Sequence, residues 1–143
     1  MDTRSFFEEV SLLLACDRLR AEAVTTVVLQ ELKVRLTPGE GNDVAAQLPR
    51  ELRRIWEEPT EIATVPQRIH RTEFVGRVRN RAILPDDEEA DRAVRAVFRT
   101  LQRALGSPHG TEGEAGDIYA QLPKDLKALW LEAARMEPPR GFA

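Results

Sequence analysis

A single cysteine, Cys16, stands in the whole chain. No intrachain disulfide can form, and a reducing cytoplasm is the expected setting. Histidine is almost as scarce, with only His70 and His109. Zinc sites draw on clustered Cys and His, which this set cannot supply. Helical di-iron centres use a Glu-x-x-His pattern, but Gln67 and Gly106 occupy the positions where the glutamates would stand. A hydrolytic triad needs a nucleophile beside a histidine base, and both histidines fall in expected loops with no nucleophile motif next to them. No apolar run approaches the ~20 residues of a membrane helix. Leu13-Leu14-Ala15-Cys16 has the form of a lipoprotein cleavage box. However, Asp2, Glu8 and Glu9 place negative charge where a signal needs positive charge or none, and the run from Val10 to Cys16 is short and contains Ser11. The expectation is therefore no catalytic residues, no cofactor, no metal ligands and no membrane segment.

What the chain has is length, charge and apolar residues in the proportions of a soluble helical domain. Its 143 residues allow one domain with a real core. Hydrophobic residues at 42% and charged residues at 31% argue against disorder. The net charge of −3 is spread evenly along the chain, so bulk electrostatics demands neither nucleic acid nor membrane.

The strongest internal signal is a duplication. Ala46-Gln47-Leu48-Pro49, followed by Leu52 and Trp56, recurs 74 positions later as Ala120-Gln121-Leu122-Pro123, Leu126 and Trp130. A first helix is expected over 5–16, with a Ser5/Glu8 capping box and Phe6, Val10, Leu13 and Leu14 on one face. Asp17 should cap a second helix reaching Leu36, which Thr37-Pro38-Gly39 stops. A short helix over Glu40–Gln47 should then meet a corner at Leu48-Pro49, with Pro49 as the first residue of the next helix, ending near Glu57. The second copy should open at Thr72, with Phe74, Val78 and Ala82 matching Phe6, Val10 and Leu14. Its long helix, capped by Asp86, carries the clearest apolar stripe: Ala90, Ala93, Val94, Val97, Phe98, Leu101, Ala104 and Leu105.

The fold class is all-α: a single helical bundle built from two tandem pseudo-symmetric helical repeats. One domain over 1–143 divides into repeat one at about 4–58, a linker at about 59–71, repeat two at about 72–134 and a loose tail over 135–143. Each unit is too small to bury its apolar faces alone. Each should therefore pack on the other.

Phe74-Val75-x-x-Val78, Glu88-Glu89-Ala90, the helix from Ala93 to Leu105 and the closing Ala120-Gln121-Leu122-Pro123 resemble the bacterial domain-of-unknown-function 2267 family. The first half shows the same order, with Glu40 and Gln47-Leu48-Pro49. The resemblance covers about residues 4–132 and implies an all-helical, soluble bacterial protein. It implies no established reaction and lends no catalytic residues. The chain departs from the pattern at residues 106–116, where the loop is longer and glycine-rich.

Several clusters invite chemistry. The loop with Gly106, Gly110, Gly113 and Gly116 lacks the Gly-Lys-Ser/Thr of a phosphate loop and carries Glu112, Glu114 and Asp117, so it is read as a mobile insertion. The acidic run Asp86–Glu89 suits a helix start. Arg92, Arg95, Arg99 and Arg103 line the face opposite the apolar stripe and should be solvated. Arg68, Arg71, Arg77, Arg79 and Arg81, against Glu73 alone, form a local basic patch able to hold phosphates. With aromatics at 6%, few rings are at hand to stack bases. Trp56 and Trp130 should pack in the core or between repeats. Gln47 and Gln121, if buried, should bond backbone groups freed at the corner.

The leading expectation is a non-enzymatic helical module acting through protein–protein contacts or self-association. The alternatives are nucleic-acid binding through Arg77, Arg79 and Arg81 and small-ligand binding between the repeats.

Overall fold

The computed structural model describes residues 1–59 and 69–139. These residues form eight α-helices, with no strand among them: α1 Thr3–Leu14, α2 Arg18–Lys33, α3 Pro38–Gln47, α4 Arg50–Glu57, α5 Arg71–Arg81, α6 Asp87–Ala104, α7 Gly113–Gln121 and α8 Lys124–Ala133. Most of the expected linker, with Ile62, Val65 and Pro66, lies outside the described residues.

Caps explain where the ends differ from expectation. α1 begins two residues early because Asp2, not Ser5, is its cap and accepts from the Ser5 N–H at 2.7 Å. It ends at Leu14 because Ala15 turns left-handed (φ 51°) and Cys16 N donates back to Ser11 O. Asp17 and Asp86 cap α2 and α6 as expected, accepting from Arg20 N and Glu89 N. Thr37-Pro38 does not merely stop α2, which already ends at Lys33. Thr37 caps α3, accepting from Glu40 N, and Pro38 fills the first helical position, where its missing N–H costs nothing. Pro49 and Pro123 stand just before α4 and α8 as their caps. α5 starts at Arg71, not Thr72, because Asp125 of α8 accepts from Arg71 N at 2.9 Å and so caps the helix through space.

α2 and α6 form the centre. α1 packs on α2 and on α6, while α5 packs on α6 and on α2. α4 lies against α2 and α1, as α8 lies against α6 and α5. α3 rests on α4 and α7 on α8, and α3 and α7 touch each other. The cross-packing merges the buried side chains into one cluster containing Phe6, Leu32, Trp56, Phe74, Leu101 and Trp130. Neither half covers its own apolar face. No described helix is long and apolar enough to cross a membrane. Of the expected loose tail, residues 136–138 line a groove with Leu12 and Leu13 of α1, and 140–143 lie outside the described residues.

Candidate acidic centre between helices α3 and α7

The two corners are built alike. Leu48 and Leu122 take extended backbone, and their N–H groups donate to Ala45 O and Tyr119 O. Behind each corner a tryptophan is buried: Trp56 Nε1 donates to Gly41 O at 2.8 Å, and Trp130 Nε1 to Gly110 O at 2.6 Å. Their own carbonyls accept from Lys33 and Gln102, residues 69 positions apart. Gln47 and Gln121 do not serve the freed corner carbonyls. Arg53 takes those of Ala45 and Leu48. The glutamines instead reach across to the other half. Gln47 Nε2 donates to Glu114 Oε2 at 3.2 Å, and Gln121 Oε1 accepts from Thr37 N at 2.9 Å.

Between these two bridges lies an acidic centre. Glu40 and Asp43 come from α3 and Glu114 from α7. One carboxylate oxygen of each lies within 4.8 Å of the others. Glu40 is only 7% exposed, while Asp43 and Asp117 are exposed. Glu40 Oε2 and Glu114 Oε1 are buried and find no hydrogen-bond partner among the described residues. Burial pushes the Glu40 carboxyl up to about 8. When protonated, Glu40 can donate to the Glu114 carboxylate, and this bond and the like charges of Glu114, Asp117 and Asp43 all push the same way. These residues were missed because metal-ligand reasoning from the sequence looked to His and Cys. The signal was present: Glu40-x-x-Asp43 recurs as Glu114-x-x-Asp117 at the same 74-residue shift as the corner motif.

The folded state thus keeps a proton on Glu40 that the unfolded chain releases near the ordinary 4.5. This contribution is fully present below 4.5 and is lost as pH rises towards about 8. In metal-free buffer the wild-type melting temperature is expected to fall across that window by more than that of Glu40→Gln. Parallel pH profiles for the two proteins would contradict this placement.

The basic patch is drawn inward. Arg77 Nε donates to Glu31 Oε1 at 2.8 Å and Arg81 Nη1 to Glu31 Oε2 at 3.1 Å, tying α5 to α2. Arg35 reaches the same carboxylate at 3.4 Å, and both Glu31 and the Arg35 side chain are fully buried. Arg79 pairs with Asp87 at 2.7 Å. Arg71 holds Asp91 and Glu132, and Arg68 lies outside the described residues. Sequence alone could not show this, because the neutralising carboxylates come from other helices. The expected solvated face of α6 is also engaged: Arg92 donates to Leu14 O, Arg103 pairs with Glu9 and Arg99 donates to Pro108 O.

The glycine-rich loop is shorter than expected, since α7 begins at Gly113, and it is tied down. Glu112 accepts from Ser107 Oγ and His109 N, and these bonds hold its carboxyl down at about 2. His109 and His70 are exposed, each against one carboxylate, Glu112 and Asp125. The groove beside His70, about 580 Å³, is lined by Ile69, Pro123, Lys124 and Ala128 and is open to solvent.

The model of a family described as an uncharacterized conserved protein, DUF2267, matches residues 3–129 and, in a second match, 79–142. The chain belongs to the DUF2267 family. No curated protein matches it. Residues 79–129 fall in both DUF2267 matches, and the acidic centre draws one helix from the first match alone and one from the shared stretch.

Proposed function

We propose that this protein is a non-enzymatic helical module of the bacterial cytoplasm that acts through protein–protein contacts, self-association among them. The observation that carries this reading is Ile83. It is 81% exposed, and its backbone is left-handed (φ 54°). A β-branched residue there costs about 1–3 kcal/mol, and an exposed side chain returns none of it through burial. Ala15, 68 positions earlier, makes the same left-handed turn with a small side chain. Leu19, 77% exposed, stands beside Arg20, whose guanidinium donates to Ala82 O. The two most exposed large apolar residues are thus held at one end of the fold. A strained isoleucine there fits a contact that only a partner completes.

The test is size-exclusion with light scattering on wild type and Ile83→Asn, since asparagine tolerates the left-handed turn. Wild type is expected above the monomer mass at high concentration. The variant should run as a monomer and be more stable by about 1 kcal/mol. A monomeric wild type that captures no protein the variant fails to capture overturns the proposal.

We also infer that the eight helices are two copies of one four-helix unit. The paired corners, the paired tryptophan bonds and the matching neighbour sets of α1–α4 and α5–α8 support this. Nucleic-acid binding is the weaker alternative, because Arg77 and Arg81 would have to leave the buried Glu31 carboxylate to meet phosphate. Fluorescence anisotropy with labelled DNA and RNA at low salt tests it. A ligand between the repeats would have to enter among the side chains of the shared core, such as Leu32 and Leu101.

A further inference from the structure

We propose that Glu40, Asp43 and Glu114 bind one hard divalent cation, which staples α3 to α7 and so joins the two halves of the chain. Ligand oxygens about 2.4 Å from a shared ion lie no more than about 4.8 Å apart. The three carboxylate oxygens meet that limit. An all-oxygen donor set selects Ca²⁺, Mg²⁺ or Mn²⁺ over softer metals. A surface acidic cluster can satisfy itself with water, but Glu40 cannot. Its Oε2 is buried and without a partner among the described residues, and its carboxylate lies with those of Glu114 and Asp43, one oxygen of each within 4.8 Å of the others. Glu114 Oε1 is in the same state. Once Glu40 gives up its proton, two buried acceptor oxygens are left with no donor among the described residues, and a cation is the species that can take the proton's place, because an unpaired buried charge is strongly disfavoured.

Two features aim the carboxylates. The Gln47 amide holds Glu114 Oε2 and leaves the buried Oε1 without a partner among the described residues. Thr37 caps the first turn of α3, with its side chain on Glu40 N and its own N–H on Gln121, so α3 is fixed relative to the other half. Gln47 and Gln121 are therefore positioning residues. The exposed side, with Asp43 and Asp117, leaves room for the waters that complete a six- to eight-oxygen shell. The repeated Glu-x-x-Asp also gives the corner motif a purpose beyond packing, since each half supplies carboxylates and the glutamine that orders the other half.

The test uses the full chain, stripped with EDTA and titrated calorimetrically with CaCl₂, MgCl₂ and MnCl₂, alongside melting curves. At least one of these cations is expected to bind at one per chain and raise the melting temperature. Glu40→Gln keeps the shape and removes the charge, so it should fold, yet bind at least tenfold more weakly and lose the thermal response. Glu88→Gln, in the exposed acidic run at the start of α6, should respond as wild type does. The electron paramagnetic resonance signal of bound Mn²⁺ should vanish in Glu40→Gln. A wild type that binds none of the three cations at millimolar concentration overturns the proposal, and so does a Glu40→Gln variant that binds as tightly as wild type. In either case, Glu40 and Glu114 share a proton and nothing more.

Discussion

Glu31→Ala is expected to lose about 3–5 kcal/mol of stability, read as a shift in the urea midpoint at constant slope. The carboxylate is fully buried and takes three arginines: Arg35 from the turn after its own helix, and Arg77 and Arg81 from α5. Arg77 and Arg81 are about a third exposed and can turn to water. Arg35 cannot. Its side chain is buried over the Phe74 ring at 5.7 Å, and its Nε and Nη1 have no partner among the described residues. Burial already pushes the Arg35 guanidinium down, and the Glu31 charge is what opposes it. Removing that charge leaves a cation in the core with only the ring beneath it. Glu22→Ala is the control: its pair with Arg18 is on the surface, so the change should stay within about 0.5 kcal/mol. A loss below about 1 kcal/mol for Glu31→Ala would mean that the cluster is hydrated and not a structural joint.

The tryptophans carry the second large effect. Trp56→Ala and Trp130→Ala should each cost about 3–5 kcal/mol. Both indoles are buried, and each donates its N–H to a glycine carbonyl that would then lie unpaired. Trp130 also stacks at a tilt on Phe98, with centroids 5.0 Å apart. A narrower change crowds the loop that accepts the Trp130 hydrogen bond. Gly110→Ala would place a Cβ 2.9 Å from Gln102 Nε2 and 3.1 Å from Trp130 Nε1, at a backbone φ of 81° that alanine resists. Its loss should approach that of Trp130→Ala, while Gly39→Ala, with nothing within 4 Å, should be close to neutral. Comparable losses at Trp56 and Trp130, measured by chemical denaturation, would show that the two corners do equal work. A loss at one corner only would show that the other contributes little to stability.

The helices were legible because their signals are local. Apolar spacing, Asp17 and Asp86 as caps, and prolines after Leu48 and Leu122 depend on a few neighbouring residues. The misplaced starts of α1 and α5 share one cause. Asp2 was passed over for a nearer capping box, and Asp125 caps α5 from 54 residues away, beyond the reach of local reasoning. The charge readings failed for the same reason. Five arginines near α5 form a patch in sequence, but Glu31, Asp87, Asp91 and Glu132 reach Arg71, Arg77, Arg79 and Arg81 from three other helices. The acidic centre could have been read, since Glu40 and Asp43 reappear as Glu114 and Asp117.

The two halves share one core through the cross-packing of α1 on α6 and α5 on α2. Amide hydrogen exchange on Trp130→Ala tests this most directly. The substitution lies in α8, which does not pack on α1 or α2 among the main helix contacts. Slow amides of α1 and α2 are expected to exchange faster by the same factor as those of α6. First-half protection unchanged from wild type would contradict it.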